Sequence, residues 1–123
     1  THPNSELFSK IFHVECKSYK NIGLWSIVTG KGLLVDWLVK AKEEASGGKH
    51  VFLVAKENNR PVLVFLDRDI HRFFCVPQKL SYKFSFSLGE DIIYGYLLKD
   101  ILSCSISQTK MLLESINLKE VNE

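Results

Sequence analysis

The stretch LLVDWLVKAKEEASGGKHVFLVAKENNRPVLVFLD, residues 33–67, changes its hydrophobic period partway along, and that change decides the fold. Over residues 33–45, Leu34, Trp37, Leu38, Ala41 and Ala45 recur at three- and four-residue spacing, which sets them in one stripe along a helix. Asp36 and Lys40 stand four apart on another face in the favourable acid-first order, and SGG at 46–48 supplies the residues that end helices. HVFLVAK (50–56) and PVLVFLD (61–67) are rich in β-branched and aromatic residues and read as strands. The ENNR between them carries two consecutive Asn residues, which tolerate positive φ, so it predicts a hairpin turn.

Toward the N-terminus, residues 8–17 alternate. Phe8, Phe12, Val14 and Cys16 are expected to face the core, and Ile11, His13, Glu15 and Lys17 the other side of a strand. NIGLWSIVTGKG (21–32), with three glycines, predicts a loop with a turn of helix around residues 24–28. Strand, helix, strand and hairpin strand together imply an α/β fold: a mixed central sheet, with a parallel crossover followed by an antiparallel addition. Toward the C-terminus, KLSYKFSFSL (79–88) alternates as a half-buried strand, and IIYGYLL (92–98) follows the turn GED as a strand that pairs back onto it. LLKDILS and SQTKMLLESI predict helices, with Met111, Leu112 and Ile116 as an apolar stripe that serves the core or a dimer surface. A polar tail is expected to close the chain.

The 123 residues predict one domain, large enough to bury about two-thirds of the surface its unfolded chain exposes. Hydrophobic residues make up 46% and charged residues 24%, as in ordinary globular proteins, and the longest apolar runs are strand-sized, which excludes a membrane-spanning helix. A net charge of +2 does not by itself announce a nucleic-acid partner. Cys16, Cys75 and Cys104 are odd in number and far apart, neither a disulfide framework nor a zinc spacing, and point to a reducing, cytoplasmic compartment. The four histidines form no HxxH or HExxH pair, and His13 reads as a sheet-face residue.

TGKG before the helix fails as a phosphate-binding loop: six residues separate Gly23 from Gly30, and Gly32 stands where a hydroxyl is required. Ser26 and Ser103 lack the glycines of a nucleophile elbow. What remains is Glu15-Cys16-Lys17. A strand period of two puts the carboxylate and the ammonium on one face, the first suited to a hard divalent cation and the second to developing negative charge on a phosphate. An ion pair on the wet side of the sheet is the plain alternative. The following helix brings Lys40 to the edge of the same cleft.

FHVECKSYKNIGLWS, DWLVKAKEEA and HVFLVAKENNRPVLVFLD, in this order, resemble the PD-(D/E)XK nuclease superfamily, in particular small phage-type and Holliday-junction-resolvase-like endonucleases. The resemblance covers about residues 8–67. It implies a restriction-endonuclease-like sheet flanked by helices and an endonuclease that hydrolyses DNA phosphodiester bonds, on branched DNA for the resolvase-like members. It implies Mg²⁺, or Mn²⁺, as cofactor, a homodimer as the working form and a prokaryotic or viral setting. Residue by residue, it makes Glu15 a metal ligand, Lys17 the catalytic lysine and the Cys16 carbonyl a further ligand. Tyr19, Lys20, Lys40 and Arg60 become DNA-backbone contacts. The family's preceding Asp has no counterpart here: either it is expected upstream of Thr1, or the site is degenerate. A non-catalytic DNA- or protein-binding module on the same fold is the alternative, and an assembly protein using its C-terminal half a second one.

Overall fold

The computed structural model describes residues 8, 10–19, 33–45 and 49–121. The five strands among these residues form one mixed sheet, with spatial order β1 (Phe12–Tyr19), β2 (His50–Glu57), β3 (Leu63–Asp67), β5 (Asp91–Leu97) and β4 (Phe84–Leu88). β1 and β2 run parallel, joined through helix α1 (Leu33–Glu44), while β3, β5 and β4 are added antiparallel. The parallel crossover and the antiparallel addition of β3 are those expected, as is the pairing of β5 with β4; the seating of β5 against β3 was not legible in the sequence. The ENNR turn closes as its Asn pair predicts: Asn59 adopts φ 62°, and the Arg60 amide donates to the Glu57 carbonyl at 3.1 Å.

Each face of the sheet carries its own core. On one face, Leu34, Leu38 and Ala41 of α1 pack on Val51, Leu53, Ala55, Phe65 and Ile93, with Trp37 half-buried at the margin. On the other, Phe12, Phe52, Val64, Leu66 and Tyr96 lie under Ile70, Phe74 and Cys75, and under Leu113 and Ile116 of the last helix. That second layer begins with α2 (Arg68–Ile70), whose N-cap Asp67 accepts from the Ile70 amide at 2.9 Å. A π-helical turn (His71–Cys75) and a 3-10 turn (Val76–Gln78) continue it, before α3 (Leu98–Leu102) and α4 (Ile106–Val121) complete the fold. Among the described residues, no helix is long and apolar enough to cross a membrane.

Three expectations need correction. Ile11 is helical and fully buried rather than on the wet side of a strand, because the strand starts only at Phe12. Val14 and Cys16 are exposed, Val14 by 44%, because β1 is the sheet's edge and no described element covers its outer half on that face. In α4, Leu113 and Ile116 face the core while Met111 is exposed, and the helix continues through the residues expected as the start of a polar tail. The loop expected over 21–32, including Trp25, lies outside the described residues.

Candidate metal centre on the first strand

β1 pairs with β2 in a register that sets His13 beside Val51, Glu15 beside Leu53 and Lys17 beside Ala55. Because the three β2 partners belong to the core under α1, His13, Glu15 and Lys17 project to the α1 side. All three are half-buried there. The helix runs back along this face and ends at Glu44, near the start of β2. The expected sharing of a face by Glu15 and Lys17 is therefore present, but Glu15 makes its close contact elsewhere.

Its partner is histidine. His13 Nε2 lies 3.0 Å from Glu15 Oε1 and 3.7 Å from Glu44 Oε2. One donor atom from each of these three side chains lies within 4.8 Å of the others. Two ligands of one first-row dication, each at about 2.0–2.2 Å, stand roughly 3–3.5 Å apart. His13 and Glu15 already have that spacing, and Glu44 has to close in on both from within 4.8 Å. Two carboxylates beside a helix C-terminus, where the unpaired carbonyls concentrate negative potential, also favour a cation. The fit to Mg²⁺ is incomplete: the carboxylates suit it, whereas an imidazole nitrogen is a donor that this hard, oxygen-seeking ion leaves to softer metals.

The other expected site residues divide. Lys40 is on the rim, exposed, with Nζ 3.9 Å from Glu44 Oε1. Lys17 forms no ion pair with Glu15; it stands on the same face two residues further along, beside Ala55. Cys16 points to the opposite face, and its thiol is free. Arg60 sits in the turn after Glu57, at the far end of β2 from Val51, roughly 20 Å away at about 3.3 Å per residue, so it does not join the cluster. Lys20 and the Tyr19 side chain lie outside the described residues. His13 and Glu44 were not singled out as ligands from the sequence. The i, i+2 spacing of His13 and Glu15 was a usable signal, but the approach of Glu44 is purely tertiary.

Neighbouring features do not compete for this role. A cleft of about 180 Å³ opens beside the end of α1 toward β3 and β5. Its basic Lys42, Lys49 and Arg68 are balanced by Asp67, Asp69 and Asp91, and Lys42 is ion-paired to Asp91, so it has no net field for phosphate. Burial pushes the Cys75 thiol up to about 12 and raises Cys104 as well, which leaves neither as a thiolate nucleophile. Comparison with known proteins found no matching family profile, no similar curated protein and no similar solved structure.

Proposed function

We propose that this protein is a divalent-metal-dependent endonuclease acting on DNA phosphodiester bonds, with its site on the α1 side of β1. Glu15 carries the reading: it stands on one strand face with Lys17 and converges with His13 and Glu44. The second acid that the resemblance expects upstream of Thr1 has a functional substitute in Glu44. Glu15 and Glu44 would hold the ion, which when bound polarises a phosphoryl oxygen and lowers the pKa of a bound water. Lys17 places an ammonium on the same face, where it donates to a phosphate oxygen as negative charge develops. Lys40, at the rim, meets a neighbouring backbone phosphate.

Incubating the whole chain with linear, nicked and four-way-branched duplexes, with and without Mg²⁺ or Mn²⁺, tests this. Metal-dependent strand scission is expected, with Glu15→Gln abolishing it and Lys17→Met lowering it at least about 100-fold while both variants keep the wild-type melting temperature. Cleavage that survives Glu15→Gln rejects the site. Binding that weakens steeply with salt but never cuts replaces the enzyme with a DNA-binding module.

A further inference from the structure

We propose that His13, Glu15 and Glu44 form a site for a first-row transition dication of the Mn²⁺ type, with His13 as the ligand that selects against Mg²⁺. The inference rests on the proposed function for where the ion sits, but not on the protein cutting DNA. A nuclease needing only Mg²⁺ would place oxygen donors around the ion and let water fill the remaining positions. Here the innermost contact of Glu15 is an imidazole nitrogen at 3.0 Å, shorter than any approach to its neighbouring ammonium. Imidazole is a favoured ligand of first-row transition ions, and carboxylates suit Mn²⁺ as well as Mg²⁺. One nitrogen with two carboxylates therefore fits an ion that accepts both.

The three side chains also come from regular elements of the fold. His13 and Glu15 ride on a strand locked in register to β2, and Glu44 on the last turn of a helix whose Leu34, Leu38 and Ala41 are buried. Strand and helix fix the backbone positions from which the three ligands project, which limits the ordering cost of binding. Glu44 is the most exposed of the three, so the open side of the site faces solvent and leaves coordination positions for water. Lys40, already near Glu44, partly neutralises that carboxylate in the metal-free state and must yield when an ion enters.

The experiment needs no substrate. Mn²⁺ binding to the full chain at pH 7.5 is followed by the loss of the free-ion electron paramagnetic resonance signal, and Mg²⁺ is then titrated as a competitor. The expected result is one Mn²⁺ per chain, held at least about 10-fold more tightly than Mg²⁺. Glu15→Gln and Glu44→Gln should each weaken Mn²⁺ at least about 10-fold. His13→Gln should weaken Mn²⁺ similarly while changing Mg²⁺ less than about 3-fold, so that the preference collapses. His13→Asp, which turns the set into three carboxylates, should restore binding with Mg²⁺ favoured relative to wild type; it serves as the second variant should Gln disturb the strand. Equal affinity for the two ions in the wild type overturns the inference, and so does a preference that survives both His13 variants. Absence of one-to-one Mn²⁺ binding, or an unaltered affinity in Glu44→Gln, overturns it as well. Mn²⁺ selectivity without any DNA cleavage rejects the nuclease and keeps the metal site; Glu15-dependent cleavage with no His13-dependent selectivity does the reverse.

Discussion

Gly95 occupies the point where β5 is squeezed between two aromatic rings, those of Phe65 on β3 and Phe84 on β4. A Cβ there would lie 2.9 Å from the Cε1 and Cζ atoms of Phe84, closer than carbon atoms approach, so the missing side chain is what lets Phe84 lie across the strand. The same ring makes an edge contact with Phe65, centroids 5.6 Å apart, which ties the outer strand to the core. Gly95→Ala must push that ring away. Overpacking of this kind costs about 1–3 kcal/mol, offset by about 0.4–1 kcal/mol from the stiffer unfolded chain, so a net loss near 1 kcal/mol is expected in urea unfolding. In a Phe84→Ala background the clash is gone, and the same substitution should stabilise. A Gly95→Ala effect of equal size and sign in both backgrounds would show that the ring is not the cause. Glycine here is a spacing device within the sheet.

At the scale of elements, Asp67 joins two of them with one carboxylate. Its Oδ1 caps α2 through the Ile70 amide at 2.9 Å, and its Oδ2 meets His50 Nδ1 at 2.7 Å. The end of β3 is thereby fastened both to the start of β2 and to the helical layer over the second core. Asn caps helices nearly as well as Asp, whereas Ala does not. Asp67→Ala should therefore cost about 1–2 kcal/mol and Asp67→Asn markedly less, read from denaturant midpoints. If Asn proves as costly as Ala, the anionic contact to His50 outweighs the cap. This capped run is also the part of the fold that the sequence concealed. α1, the β2–β3 hairpin and the part of the second hairpin from Phe84 on are legible because a single period persists through each. Residues 79–83, expected in the same strand, lie outside it, with Leu80 against the second core and Phe84 against the first. Residues 68–78 pass through three helical geometries in eleven positions, so no period survives. What holds them there is the burial of Ile70, Phe74 and Cys75 against the sheet, a tertiary cause. β1 failed differently. Its alternation correctly separated its two faces, yet an edge strand is wetted wherever none of the described elements covers it, which is how Val14 and Cys16 came to be exposed. The candidate site divides along the same line: Glu15 and Lys17 share a face by strand geometry alone, whereas Glu44 arrives only once the crossover has folded.

For the whole molecule, half-buried His71, beside the second core, carries a titration that opposes folding in acid. His71 stacks flat on Tyr94, with centroids 3.8 Å apart and planes within 4°, and Tyr82 meets both rings edge-on. Its Nδ1 is hydrogen-bonded to the hydroxyl of Tyr96, a fully buried residue whose own ionisation is driven up by burial. Desolvation in this setting, helped by the adjacent Arg72 guanidinium, holds the His71 imidazole below its ordinary value of 6.5. The sign of the consequence is fixed by linkage. As pH falls through 6.5, the unfolded chain takes up a proton at this position before the folded chain does, so the unfolded state binds more protons and is favoured. Stability from His71 is thus intact above about pH 6.5 and declines below it, until the folded imidazole is itself protonated. Urea unfolding at pH 7.5, 6.5 and 5.5 should show this decline in the wild type, and His71→Gln, which has nothing to titrate, should reduce the drop between pH 7.5 and 5.5. The comparison of slopes removes whatever fixed cost the lost stacking carries, because that cost is the same at every pH. An identical drop in wild type and variant would place the acid sensitivity in other groups and leave the His71–Tyr94–Tyr96 cluster as packing alone.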